Sequence, residues 1–100
     1  MATLNIVNKS PFEKRTLEQC LSRIADDDSV LLIEDASVVA VSGTAYADQL
    51  QGSKQKVYVL SPDLAARGLA ESSLLDGLTA VDYSGFVELV TTHDRVHSWL

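Results

Sequence analysis

The sequence predicts a small three-layer α/β sandwich built on a mostly parallel sheet of four to five strands. Apolar runs of strand length recur along the chain, at residues 3–7, 30–33, 57–60 and 78–81. Segments with helical spacing or helix-start signals lie between these runs. Strands that alternate with helices are joined by right-handed crossovers, which make neighbouring strands parallel.

Length and composition fit one compact domain over residues 1–100. Hydrophobic residues make up 46% of the chain and charged residues 22%, the balance of a globular protein rather than a disordered one. No apolar run approaches the roughly 18 residues that a membrane-spanning helix needs. The first ten residues carry no charged leader before an apolar stretch, as a secretory signal would. We therefore expect a cytoplasmic protein without a membrane segment.

The charge balance argues against direct nucleic-acid binding. The chain has eight Lys and Arg residues and 14 Asp and Glu residues, which gives a net charge of -6. A surface that tracks phosphates needs clustered cations, and only short groups of Lys and Arg occur here. The single cysteine cannot form an internal disulfide, so the chain does not need an oxidising compartment.

The first helix is predicted from a start signal and an apolar stripe. Ser10 is a candidate cap, Pro11 lies near the helix start, and Glu13 completes a capping box. The helix should run to about residue 25 and end in the aspartates at 26–28. Helical spacing places four residues on one stripe: Leu17, Cys20, Leu21 and Ile24.

Further helices are predicted along the rest of the chain. Asp35 could cap a short helix over 36–42 that Gly43 ends, although three valines there would also suit a strand. A short helix is expected around 46–50, and another opens at 61–63 and ends at Gly68. The last helix carries one stripe formed by Phe86, Leu89, Val90 and His93.

The carboxyl ends of the strands form the expected site, because ligands bind there in open parallel sheets. These ends are residues 8–10, 34–35, 61–63 and 82–84, which together make a polar and mostly acidic rim. No G-x-G-x-x-G or G-x-x-x-x-G-K-[ST] motif for phosphates is present. We therefore expect no nucleotide cofactor.

Two other motifs have simpler structural interpretations. His93 and His97, four apart on the predicted last helix, could share a zinc ion, but no third ligand is evident. We interpret them as a helix end with one histidine near the core and the other exposed, and we expect no metal. The stretch around Ser84 lacks the first glycine of a G-x-S-x-G elbow, so Ser84 is interpreted as a helix cap.

Cys20 has two interpretations from its surroundings in the sequence. On an apolar stripe it is a small core residue. A reactive thiol needs exposure and a positive neighbourhood, which Arg23 could supply, whereas Glu18 and the aspartates at 26–28 oppose it. The residues alone leave both roles open.

Several stretches, in order from residue 4 to residue 100, resemble the DsrH/TusB family. They are NKSPFE, LLIEDA, KVYVLSPDLAARGL, VDYSGFVEL and the terminal SWL. The resemblance implies a DsrE-like α/β fold, in agreement with the alternation of strands and helices. It also implies a sulfur-relay subunit in a cytoplasmic α2β2γ2 heterohexamer with DsrE/TusD-like and DsrF/TusC-like subunits.

Within that family, the complex passes persulfide sulfur to a small carrier of the DsrC/TusE type. The main sulfur-carrying cysteine is expected on the DsrE/TusD-type subunit, so sulfurtransferase activity belongs to the complex. One branch works in dissimilatory sulfur oxidation, and the other supplies 2-thiolation of the wobble uridine in transfer RNA.

The stretch from Ser10 to Cys20 is similar to the sulfur-oxidation branch, which carries a cysteine on the first helix. That similarity makes Cys20 a possible persulfide carrier. Two alternatives stay open: a subunit of the transfer-RNA branch, and a purely structural subunit in which Cys20 packs. Candidate interface residues are Phe12, Tyr46, Leu74, Leu75 and Trp99.

Overall fold

The computed structural model describes residues 2–9, 16–25, 27–40, 50 and 55–99. The elements bounded within those residues are, in chain order, β1 (Thr3–Val7), α1 (Thr16–Arg23), β2 (Ser29–Leu32), a first 3₁₀ helix (Glu34–Ala40), β3 (Lys56–Leu60), α2 (Ser61–Ala66), a second 3₁₀ helix (Glu71–Ser73), β4 (Leu78–Val81), α3 (Tyr83–Thr92) and β5 (Arg95–Trp99). The helix expected around 46–50 falls mainly outside the described residues, as does the start signal at 10–13.

The five strands form one sheet in the order β4-β3-β2-β1-β5. Every neighbouring pair is parallel. The central strand β2 is buried along its whole length, as a continuous apolar run covered on both faces should be. The predicted fold class, an α/β sandwich on a mostly parallel sheet, is confirmed.

Each face of the sheet has its own hydrophobic cluster. On one face, α1, the first 3₁₀ helix and α2 contribute buried side chains to the larger cluster, among them Leu17, Val39 and Leu64. On the other face, α3 packs Phe86 and Leu89 over a smaller cluster of three buried residues: Leu4, Ile6 and Leu31. Among the described elements, α3 is the one helix that contributes to this second cluster.

The stripe predicted for α1 is confirmed. Leu17 and Cys20 are fully buried, and Leu21 and Ile24 are partly buried against the same cluster. Helical spacing alone was enough to identify this face, because residues three and four apart share one side of a helix.

The start of α3 differs from the sequence interpretation. Asp82, not Ser84, is the N-cap, and its Oδ1 accepts a hydrogen bond of 2.8 Å from the backbone N–H of Gly85. Gly85 also lies close to the preceding strand, because a Cβ at this position would meet the Cβ of Val81 at 2.9 Å. Aspartate is among the preferred capping residues, so the residue type was compatible with either assignment.

The predicted continuation of the last helix through residues 93–97 is wrong. Helix α3 ends at Thr92, and residues Arg95–Trp99 form β5, which pairs in parallel with β1. Strand β5 is at the sheet edge and is mostly exposed. It therefore lacks the continuous apolar run by which a central parallel strand is recognised.

The segment after β2 is a 3₁₀ helix, Glu34–Ala40, where the sequence predicted a short helix over 36–42; residues 41–43, with the proposed end at Gly43, lie outside the described residues. It begins at Glu34, whose φ of 49° is in the left-handed region. No helix among the described residues is long and apolar enough to cross a membrane.

Candidate functional site

The acidic rim at the carboxyl ends of β2 and β3 is held together by its own hydrogen bonds. The backbone N–H of Glu34 donates to Oδ2 of Asp63 over 2.6 Å. Arg67, the C-cap of α2, donates to Oδ1 of Asp35 over 2.9 Å. The two side chains also form an ion pair, which joins the end of α2 to the first 3₁₀ helix. The structure thus brings residues 34–35 and 61–63 together, as the sequence predicted. The carboxylates of Asp35 and Asp63, however, are already engaged in bonds that hold the first 3₁₀ helix and α2 together.

The rim continues as an open cleft beside β4. Its lining includes Ser61, Glu71, Asp82 and Gly85. The hydroxyl of Ser61 donates to the carboxylate of Glu71, and Asp82 caps α3. None of the described residues that line this cleft is cationic, so the field of these residues disfavours a phosphate or another anion.

Cys20, the single cysteine, lies inside the larger hydrophobic cluster. Its side chain is 0% exposed. Burial raises the pKa of the Cys20 thiol from 9.0 to about 12, and the nearby carboxylate of Asp28 adds to the increase. The residue is therefore a neutral thiol near pH 7, with neither charge nor access to solvent.

Asp28 is held firmly at this position. Its Oδ1 accepts from the backbone N–H of Thr3 over 3.0 Å, and its Oδ2 accepts from that of Ala25 over 3.0 Å. The sequence had suggested that the aspartates at 26–28 would oppose a thiolate, and Asp28 does so. Arg23, the candidate positive neighbour, is exposed on α1 and does not lower the thiol pKa.

The chemistry of sulfur transfer sets a clear requirement for Cys20. Attack on a persulfide needs a thiolate and an approach path to the outer sulfur. The packed state described here supplies neither of them. A carrier role would require α1 to open, whereas a packing role requires only the observed geometry.

The two histidines lie on different elements and have different contacts. The Nδ1 of His93 lies 2.7 Å from the carbonyl oxygen of Leu89, and its Nε2 lies 2.9 Å from Oγ of Ser29. His97 is exposed on β5 and contacts Trp99 in a tilted arrangement, with ring centroids 4.8 Å apart and 53° between the ring planes. Within the described residues no three His, Cys, Asp or Glu side chains converge as a metal site would require.

Of the candidate interface residues that the structure describes, one is buried and two are partly buried. Leu75 is 6% exposed, and Leu74 and Trp99 pack partly buried against the larger cluster. Phe12 and Tyr46 lie outside the described residues. Within the described part of the chain, the exposed large apolar side chains are Tyr83, Val87, Val90 and Val96. Spacing could have revealed the first three, because positions i, i+4 and i+7 share one side of a helix.

The fold and site define a class: a small parallel α/β protein with a buried thiol and an acidic strand edge. Two solved structures share the architecture. The YchN protein of Escherichia coli matches with a TM-score of 0.70 at 18% identity, over 98% of this chain and 99% of that one. Protein Tm0979 of Thermotoga maritima matches with a TM-score of 0.68 at 21% identity, over 92% and 93% of the two chains. At these identities the likeness concerns the fold.

Sequence relatives make the assignment more specific. Protein TusB of Shigella flexneri is 32% identical over 96% of this chain and 99% of its own length. Protein TusB of Escherichia coli O81 (strain ED1a) is 31% identical over the same shares. The family model described as "DsrH like protein" matches residues 9–96. The chain belongs to the DsrH family, and the resemblance to DsrH/TusB proteins is thereby confirmed.

Proposed function

We propose that this chain is a subunit of a cytoplasmic sulfur-relay complex. In this complex persulfide sulfur passes between cysteines and on to a DsrC/TusE-type carrier. The observation that carries the proposal is the match of residues 9–96 to the DsrH family, and the burial of Cys20, the single cysteine, supports a partner chain as the main carrier of sulfur. A relay subunit whose thiol is packed depends on a partner for the main sulfur-carrying cysteine.

The proposed partners are a DsrE/TusD-like and a DsrF/TusC-like subunit in an α2β2γ2 heterohexamer. The exposed apolar side chains of α3 and β5 support a role in assembly. Among the described residues the acidic rim and the cleft beside it contain no thiol, so this chain would contribute surface and shielding rather than a sulfur-carrying group.

For Cys20 the geometry supports packing over the role of persulfide carrier. Forming a persulfide would add a sulfur atom inside a close-packed cluster and would first require a proton to leave a thiol whose pKa is about 12. The carrier hypothesis therefore needs an opened conformation of α1, which contact with a partner would have to induce.

Intact mass spectrometry of the co-expressed complex tests both roles. The complex is incubated with a persulfide donor, and the mass of each chain is measured before and after reduction. We expect one added sulfur on the DsrE/TusD-type chain and none on this chain, with the same result in a complex carrying Cys20→Ala. A reducible sulfur on this chain that Cys20→Ala abolishes would instead make Cys20 a carrier.

Two pathways can use such a relay, and different observations support each. The cysteine on the first helix, and the similarity of residues 10–20 to the sulfur-oxidation branch, support dissimilatory sulfur oxidation, which we propose first. The curated relatives named TusB support the second candidate, 2-thiolation of the wobble uridine in transfer RNA.

The carrier protein distinguishes these pathways. The sulfur-loaded complex is mixed separately with a DsrC-type and a TusE-type carrier, and the sulfur gained by each carrier is followed by mass. Faster transfer to the DsrC-type carrier would support sulfur oxidation. Faster transfer to the TusE-type carrier would replace it with the transfer-RNA pathway.

A further inference from the structure

A cleft lies at the amino-terminal edge of the sheet, opposite the acidic rim. It is formed by the loop before β2, the first residues of β2 and β3, and the end of α3. Ser29 opens β2 and lies in register with Lys56, which opens β3. Both side chains are on the face that α3 covers, because Leu31 and Tyr58, two positions further along the strands, belong to the cluster beneath that helix. We call this space, with a volume of about 300 Å³, the amino-edge cleft.

One wall of the amino-edge cleft carries hydrogen-bond acceptors. Asp28 is 9% exposed, and no cation among the described residues forms an ion pair with its carboxylate. The Nδ1 of His93 donates to the carbonyl oxygen of Leu89, so the neutral imidazole accepts the hydroxyl proton of Ser29 at Nε2. Thr92 donates its own hydroxyl proton to the same carbonyl oxygen. Both hydroxyl oxygens therefore retain lone pairs as acceptors, and together with Asp28 we call them the acceptor wall.

A second wall carries hydrogen-bond donors. Lys56 is exposed and Tyr58 is partly buried. Within the described part of the chain, neither Nζ of Lys56 nor the hydroxyl of Tyr58 has a hydrogen-bond partner. We call these two groups the donor wall. Because β2 and β3 are neighbouring strands, which lie about 4.8 Å apart, one small molecule can reach both walls.

The charges that line the cleft have both signs. The carboxylates of Asp27 and Asp28 face the ammonium of Lys56, and the negative end of the α3 dipole lies beside them. A ligand with only a negative charge would meet both carboxylates, and one with only an amine would leave the donor wall without an acceptor. Within the described residues no three His, Cys, Asp or Glu side chains converge on a metal ion. A molecule with an ammonium group and a carboxylate satisfies both walls.

We propose that the amino-edge cleft binds a small α-amino acid. Its ammonium group donates to the acceptor wall, and its carboxylate accepts from the donor wall. A single carbon atom separates the two groups in this class of molecule, which suits walls on adjacent strands. The volume of about 300 Å³ is at the lower end of the roughly 300–1,000 Å³ of ligand pockets, and Leu89 supplies an apolar contact for a short side chain. The inference is independent of the proposed relay function.

The test is a ¹H–¹⁵N NMR titration of the full chain with glycine, L-alanine and L-serine. We expect saturable shifts of the amide signals at the starts of β2 and β3, where the cleft lies. Ethylamine lacks the carboxylate, and propionate lacks the amine. Each of them should bind at least about tenfold more weakly than L-alanine, because each loses its charged hydrogen bonds to one wall.

Variants of the donor wall locate the ligand. Lys56→Met removes the ammonium and should weaken the binding of L-alanine at least about tenfold, and Tyr58→Phe removes one neutral donor and should weaken it about threefold. Lys9→Met makes the same change as Lys56→Met after β1, at the opposite edge of the sheet, and should leave the affinity unchanged. Urea unfolding of each variant checks that the fold is retained.

Several results would overturn the inference. If none of the three amino acids binds, or if ethylamine or propionate binds as tightly as L-alanine, the cleft is not an amino-acid site. If Lys56→Met binds L-alanine like the wild type, the ligand lies elsewhere. If Lys9→Met weakens binding as much as Lys56→Met, net charge rather than the donor wall accounts for the affinity. None of these measurements involves sulfur, so the relay proposal stands or fails separately, by mass spectrometry of the complex.

Discussion

The indole N–H of Trp99 donates a hydrogen bond of 3.0 Å to Oδ1 of Asn5. Asn5 lies in β1 and is 2% exposed. Its Nδ2 donates to the carbonyl oxygens of Thr3 and Ser29, over 3.4 Å and 3.2 Å. One buried carboxamide therefore connects β5, β1 and β2, and its acceptor and donor groups are both used.

Replacing Asn5 by Leu should destabilise the chain by about 1–3 kcal/mol, because the change leaves the indole N–H and the carbonyl of Ser29 without this partner in a buried setting. Urea unfolding measures the change. Trp99→Phe removes the donor together with part of the ring that packs on the larger cluster, and the double variant should cost less than the sum of the two single changes. Strictly additive losses would show that the hydrogen bond contributes nothing to stability.

The raised pKa of Cys20 predicts a stability that falls at alkaline pH. Below pH 9 the thiol is protonated in both the folded and the unfolded chain. Between pH 9 and about 12 the unfolded chain loses a proton that the folded chain retains, so the free energy of unfolding decreases as pH rises. Relative to Cys20→Ala, the wild type should lose about 1 kcal/mol between pH 9 and pH 10.

Urea unfolding of both proteins at each pH measures this difference, and the comparison cancels the titration of Lys and Tyr residues that both share. Equal pH dependence in the two proteins would contradict burial of the thiol. Slow alkylation of the native wild type, accelerated by urea, would agree with burial independently.

The cap of α3 can be tested by three substitutions. Asp82→Ala removes the acceptor for the N–H of Gly85 and should cost about 1 kcal/mol. Asp82→Asn retains an acceptor oxygen and should cost little. Ser84→Ala serves as the matched control, since Ser84 is exposed within the helix and is not its cap. Thermal unfolding would show the reverse order if Ser84 were the cap.

Glu34 offers a stabilising substitution. Its φ of 49° lies in the left-handed region, which residues with a Cβ adopt at a cost in free energy. Glu34→Gly should therefore raise the free energy of unfolding by up to about 1 kcal/mol relative to Glu34→Ala, which keeps the Cβ but removes the carboxylate. Glu34→Val should lower it. If Glu34→Gly is less stable than Glu34→Ala, the additional backbone entropy that glycine loses on folding exceeds the strain that it relieves.

Much of the fold could be predicted because its signals are local. The four apolar runs became β1 to β4, and the stripe on α1 faces the core as its spacing requires. The candidate site was harder to predict, because its properties depend on contacts between distant residues. Asp63 bonds Glu34 across 29 positions, and Arg67 pairs with Asp35 across 32. Spacing could place these residues at one edge but could not say that they would satisfy one another.

The sequence by itself determined the alternation of strands and helices, because apolar periodicity and turn signals are properties of short segments. It also determined the acidic character of the chain and its family resemblance. Only the tertiary structure decided that residues Arg95–Trp99 form a strand, because the segment is exposed and mixed in polarity and becomes a strand by pairing with β1. The state of Cys20 was likewise decided by packing: a thiol's pKa depends on the dielectric and the charges around it, and these come from elements far apart in the chain.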